Sequence, residues 1–260
     1  MHFTADELVT LVMAWVWPSL RIGAMLVAAP IFGAQNVPMP LRILLVVALT
    51  AMVAPILPPP PPVDPLSAAG LLIAVQQVLI GVTMGFALHL VFSAVVTGGQ
   101  IMAMKMGLGF ASMVDPQTGI QVPVVSQFYM IMATVLFVTL NGHLVVIDVL
   151  VESFHVLPIG GASVGAVQFH MVVGWGAQMF VWAVLMALPV VAVVLAFNVA
   201  FGVMSKAAPQ LQIFSIGFPI FITMGFATMW LSLPVFNTLF TRMSSETLLF
   251  MRSIAHTAGG

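Results

Sequence analysis

Cysteine is absent from the chain. That excludes disulfides, thiol nucleophiles and Cys-ligated metal centres. Charge is nearly absent too: 6 Lys and Arg and 7 Asp and Glu in 260 residues, or 5%. A soluble domain carries about 25% charged residues, and a water-facing surface cannot be built from so few. With 62% hydrophobic residues, the chain is an integral membrane protein, or it buries nearly all its surface in a larger assembly. The net charge of -1 gives no reason to expect nucleic acid or an acidic partner. Recognisable catalytic motifs are missing as well: there is no HExxH, GxSxG or P-loop. GLGF at 107–110 lacks the third glycine and the preceding strand of a dinucleotide fingerprint. No internal repeat is visible.

What is present is apolar sequence in long runs. Six segments stand out, at about 8–29, 41–57, 68–100, 124–150, 172–202 and 211–236. A bilayer span needs about 20 residues, so only 41–57 is marginal. The N-terminus MHFTADELVT has no basic n-region and reads as a retained helix, opened by the capping box Thr4–Glu7. The breaks are FGAQNVPMP (32–40), the stiff spacer LPPPPPVDP (57–65), KMGLGFASMVDPQTG (105–119), HVLPIGGASVGAVQFH (155–170) and SKAAPQLQ (205–212). Segment 68–100 would be about 50 Å long at 1.5 Å per residue, against a hydrocarbon core of about 30 Å. It must tilt, break or leave the membrane against other protein. Pro189 and Pro219 are expected to kink their helices. The tail 241–260 is compatible with a short interfacial helix. With alternating spans, Arg42, Lys105 and Lys206 face Arg242 and Arg252 across the membrane, too even a split to orient the chain.

A few polar residues lie inside apolar sequence. Arg21, in WPSLRIGAMLV, is either an intramembrane functional charge or an arginine reaching a helix end or a neighbouring subunit. Asp148, Glu152 and His155 share one helix face by their i, i+4, i+7 spacing, with His143 about a turn below. They suit a metal or proton relay, or they mark where the helix leaves the apolar layer. His89 sits mid-segment, where packing or a hydrogen bond is the simpler role. Gly81 and Gly85 form GxxxG, a spacing that lets helices approach closely.

The stretch 105–119 has neither helical nor strand period, yet it is apolar. Met102, Met104, Met106 and Met113 crowd it with flexible side chains that fill irregular gaps. Gly107, Gly109 and Gly119 loosen its backbone. Irregular backbone at membrane depth is tolerated only inside protein or a water-filled cavity. Apolar side chains can close a pore by dewetting. The segment therefore reads as a deformable seal, with a plain linker as the simpler alternative.

The chain resembles the FliR family of flagellar type III export-gate proteins, related to the injectisome export proteins. The resemblance spans nearly the whole length. It rests on FTADEL (3–8), WPSLRI (17–22), APIFG (29–33), VPMPLR (37–42), GGQIMAMKMGLGFASMVDPQTG (98–119), NGHL (141–144), SFHVLPIG (153–160) and APQLQIFSIGFP (208–219). It implies an all-α membrane protein of about six long, partly kinked helices, arranged as hairpins in a conical helical assembly. Residues 1–170 would be FliP-like and 171–260 FliQ-like. The implied partners are FliP, FliQ, FlhB, other flagellar export components, unfolded export substrates and membrane lipid. The implied location is the bacterial inner membrane at the flagellar basal body, extending toward the periplasm. No cofactor and no enzymatic activity are implied. The resemblance also implies a pore plug within 105–122, matched at Gly107, Leu108, Phe110, Ala111, Asp115 and Pro116, with Met106, Gly109 and Met113 beside them. The competing expectation is a proton-coupled secondary transporter, with Arg21, His89, Asp148 and Glu152 along a midplane path between Pro-broken helices.

Overall fold

The computed structural model describes residues 5–34, 37–109, 112–114, 121–161, 166–207 and 213–259. Among these residues seven α-helices dominate: α1 Ala5–Ala28, α2 Met39–Val53, α3 Ala68–Lys105, α4 Val124–Thr139, α5 Gly142–Val156, α6 Ala166–Ala207 and α7 Ile213–Gly259. Five are long and apolar enough to cross a membrane, or six crossings if α4 and α5 form one bent span. The chain is thus an all-α integral membrane protein. Among the described residues, besides irregular connections such as 58–64, there is one short ladder. Strands β1 Ser112–Val114 and β2 Gln121–Pro123 pair antiparallel, with Met113 opposite Val122.

The centre of the fold is α3, which packs against α1, α4, α6 and α7. Ser67 caps its start, its hydroxyl accepting from the Gly70 amide at 3.1 Å. Small residues let α3 touch so many neighbours, since a membrane helix gains by close van der Waals packing rather than by exclusion of water. A Cβ on Gly85 would lie 2.6 Å from both the Ala28 Cβ and the Met25 carbonyl of α1. A Cβ on Gly99 would lie 2.5 Å from the Ser126 Cα of α4. Rings fill the space where α3, α4 and α7 meet. Phe92 meets Phe137 and Phe240 edge-on at 5.8 and 5.9 Å, and Tyr129 meets Phe236 at 4.9 Å.

Three helices are longer than any bilayer requires. At 1.5 Å per residue, the 38, 42 and 47 residues of α3, α6 and α7 come to about 57, 63 and 70 Å. Pro189 lies inside α6, and Pro219 and Pro234 inside α7. Each removes one backbone donor without ending its helix.

The architecture departs from the sequence reading in four places. Segment 68–100 runs on to Lys105. Segment 124–150 is not one helix: it bends by 65° between α4 and α5, where Asn141 takes a left-handed conformation (φ 56°). Asn tolerates that region better than most residues. The tail is no separate interfacial helix but the continuation of α7. Its residues Met243, Met251 and Ile254 are buried, and α7 packs along α5. The stretch without a period carries strand β1.

Candidate functional site

The end of α3 is closed by its own backbone. Met106 is the C-cap, and Gly107 follows with φ +78°. The Leu108 amide donates to the Ala103 carbonyl at 2.8 Å, and the Gly107 amide to the Met104 carbonyl at 3.3 Å. These two bonds are a Schellman motif, which uses glycine where φ must be positive. Gly107 therefore fixes the helix end rather than loosening it.

The residues just beyond are held against α7. Met106 is 1% exposed, and its side chain lies over Gly225, close enough that a Cβ there would meet the Met106 sulfur at 2.7 Å. A Cβ on Gly107 would meet the Phe218 ring at 2.9 Å. Leu108 lines one end of an apolar groove of about 570 Å³. Val124, Val125 and Phe128 of α4 form one wall, and Phe226, Met229, Trp230 and Leu233 of α7 form the other. Gly109 lies near Met104. The backbone of Met113 pairs in β1, and β2 leads straight into α4. Phe110, Asp115 and Pro116 lie outside the described residues, as do Ala111 and Gly119.

Arg21 is fully buried (0% exposed), and its acceptors are uncharged. Its Nε donates to Gln77 Oε1 of α3 at 2.9 Å. Its Nη1 donates to the Ser153 carbonyl at 2.9 Å and hydroxyl at 3.2 Å, and its Nη2 to the Leu157 carbonyl at 2.8 Å. The guanidinium carbon lies 4.1 Å from the Phe154 ring centre. The cation sits at the C-terminal end of α5, where the helix dipole favours positive charge, and it shares the Ser153 carbonyl with the Leu157 amide. Of the two readings of this arginine, the geometry matches the one in which it reaches a helix end.

The carboxylates on α5 do not converge on Arg21. Arg252 of α7 lies 3.3 Å from Asp148 and 2.9 Å from Glu152, with 71% of the Asp148 side chain exposed. His155 is exposed, its Nδ1 3.2 Å from the Val151 carbonyl. His143 and His89 are half-buried. Among the described residues, no three His, Asp or Glu side chains are grouped to hold a metal ion. The proton-relay reading loses its two candidate carboxylates to one ion-paired arginine at the surface, and its buried cation to neutral oxygens.

The sequence reading did not name Gln77, Ser153, Leu157 or Arg252 in these roles. The partners of Arg21 lie 56 to 136 positions away, beyond any local pattern. The helix stop at Lys105–Gly107 carried a signal the sequence reading did not use, since a cation in the last turn followed by glycine marks termination.

The fold and this region define a class: a membrane-embedded helical protein with an apolar loop anchored beside a long pair of hairpin helices. The match to known families is equally direct. The chain belongs to the bacterial export proteins, family 1, whose model matches residues 12–247. It is 35% identical over 254 residues to the flagellar biosynthetic protein FliR of Escherichia coli (strain K12), covering 98% of this chain and 97% of that protein. It is 36% identical over 255 residues to FliR of Pectobacterium carotovorum, with the same coverage. To FliR of Bacillus subtilis it is 28% identical over 257 residues, covering 98% of this chain and 99% of that one.

Proposed function

We propose that this bacterial membrane protein, a component of flagellar protein export, is a core pore subunit of the flagellar type III export gate. It assembles with FliP and FliQ, and FlhB binds the assembly. Unfolded rod, hook and filament proteins pass through. Residues 1–170 take the FliP-like place and 171–260 the FliQ-like place. The helices rise above the membrane toward the periplasm, in keeping with lengths of about 57 to 70 Å against a hydrocarbon core of about 30 Å.

One observation carries the plug assignment. The apolar segment between Lys105 and Val124 is pinned at both ends, by the Schellman motif at Gly107 and by the ladder that feeds α4. Met106, Gly107 and Leu108 then form the anchor. Gly109, Phe110, Met113, Asp115 and Pro116 complete the plug. Apolar side chains in a narrow pore exclude water and so ions, while an arriving polypeptide can push soft side chains aside.

The test is the double substitution Phe110→Gly, Met113→Gly in cells that lack the native copy. Ion or dye permeability should rise while the variant still co-purifies with its partners. Normal assembly with an unchanged leak would remove the plug assignment.

A further inference from the structure

We infer that the apolar groove between α4 and α7 is a binding site for the acyl chain of a membrane lipid. The site is defined by its two walls and does not depend on the role of the neighbouring loop.

Contacts at its ends keep the groove open. The α4 wall is fixed to α3, where Ser126 donates to the Val96 carbonyl at 3.0 Å and a Cβ on Gly99 would lie 2.5 Å from the Ser126 Cα. The α7 wall is fixed at Gly225, under the Met106 side chain. It is fixed again at Phe236, whose ring centre lies 4.9 Å from that of Tyr129 on α4. The groove runs between these two contacts, so the walls cannot close on it without breaking one of them. Val125 and Met229 are buried and form its floor, whereas Val124, Phe128 and Trp230 are exposed and form its rim.

The lining selects hydrocarbon. Among its side chains the Trp230 indole N–H is the only hydrogen-bonding group. An ordered water needs several polar partners, and a polar solute would give up its hydration for little in return. An extended peptide would bring unpaired amides and carbonyls of its own. Size excludes a helix as well. From Phe226 to Leu233, α7 rises about 10 Å. Spread over that length, a volume of about 570 Å³ gives a cross-section of about 57 Å², below the roughly 80 Å² of a helix about 10 Å across.

The surroundings supply the hydrocarbon. Both walls belong to membrane-crossing segments, α7 over Gly217–Ile254 and α4 as the first half of the bent pair. Val124, Phe128, Ile131 and Val135 recur at i, i+4, i+7 and i+11, one face of α4, and all four are exposed. The rim of the groove is thus continuous with the lipid-facing surface of the span. Lipid tails are as apolar as leucine, so an acyl chain gains there by close packing rather than by leaving water. A groove with a fixed floor offers it more contact than the open face of a helix.

The test asks what touches the rim. The photoreactive residue p-benzoylphenylalanine would replace Trp230 in one form of the chain. In the control it would replace Leu231, which is 80% exposed but lies outside the groove. Each tagged form, with the proteins that accompany it, would be extracted from its own membranes in mild detergent. It would then be washed, irradiated and weighed by mass spectrometry. A phospholipid adduct at the rim should survive washing, and one at the control position should be lost. Val124→Trp fills the groove from its rim and should reduce the rim adduct to the control level. No lipid adduct at the rim after washing, equal adducts at both positions, or an adduct joining the rim to another protein would each overturn the site. So would a rim adduct unchanged by Val124→Trp. The comparison of rim and control needs no groove-filling variant, so it decides the matter even if Val124→Trp does not fold.

Discussion

Replacing Gly85 with alanine adds one methyl group where there is no room for it. The new Cβ would lie 2.6 Å from the Ala28 Cβ, 2.6 Å from the Met25 carbonyl and 3.0 Å from the Ala29 amide. Carbon atoms pack at about 3.5–4.0 Å, so α1 and α3 must separate by about 1 Å. None of the three neighbours can rotate aside, because two are backbone and the third is the first atom of a side chain. Overpacking of this kind costs about 1–3 kcal/mol. Alanine also favours helix over glycine by about 1 kcal/mol, which would blur the result. Gly174→Ala is the control: it lies in α6 with nothing within 4 Å of its Cβ, so the helix preference cancels in the comparison. Thermal melting of the two variants in one detergent should place Gly85→Ala lower by about 1–3 kcal/mol, or about 2–4 °C per kcal/mol for a chain of this size. Equal melting, or a higher Tm for Gly85→Ala, would refute the account of α1–α3 packing.

Two further outcomes follow from other parts of the molecule. Gly107→Ala puts a Cβ at φ +78° and against Phe218, so it should cost about 1–2 kcal/mol and fray the end of α3, seen as faster amide exchange at 102–106. Asp148→Asn with Glu152→Gln removes the partners of Arg252 at a site exposed on the chain, a loss of about 0–1 kcal/mol per pair, so motility should persist. Loss of motility with normal protein levels would return proton-relay chemistry to these carboxylates.

The spans were legible because lipid leaves the chain little choice. With no water to bond the backbone, an apolar run of sufficient length must become helix. The break between α4 and α5 was less visible. It falls inside an apolar run and is marked only by Asn141–Gly142, a turn signal with no proline and no charge to reinforce it. The extent of α7 was missed for the opposite reason. Its second half is studded with Thr, Ser, Arg and Glu, but Phe240, Met243, Phe250 and Ile254 keep one face apolar, and that face lies against the chain itself. Arg21 could be singled out as an anomaly, but its acceptors could not. A cation in apolar sequence announces that partners exist, whereas a glutamine on α3 and two carbonyls on α5 give no local sign of which ones they are.

The composition of the complex around this chain tests the central claim most directly. The chain would be tagged, expressed at native level and extracted in mild detergent, and the particle weighed and its subunits identified. The account predicts a particle several times heavier than one chain, containing FliP- and FliQ-type subunits. A monomer or a homodimer without them would contradict it.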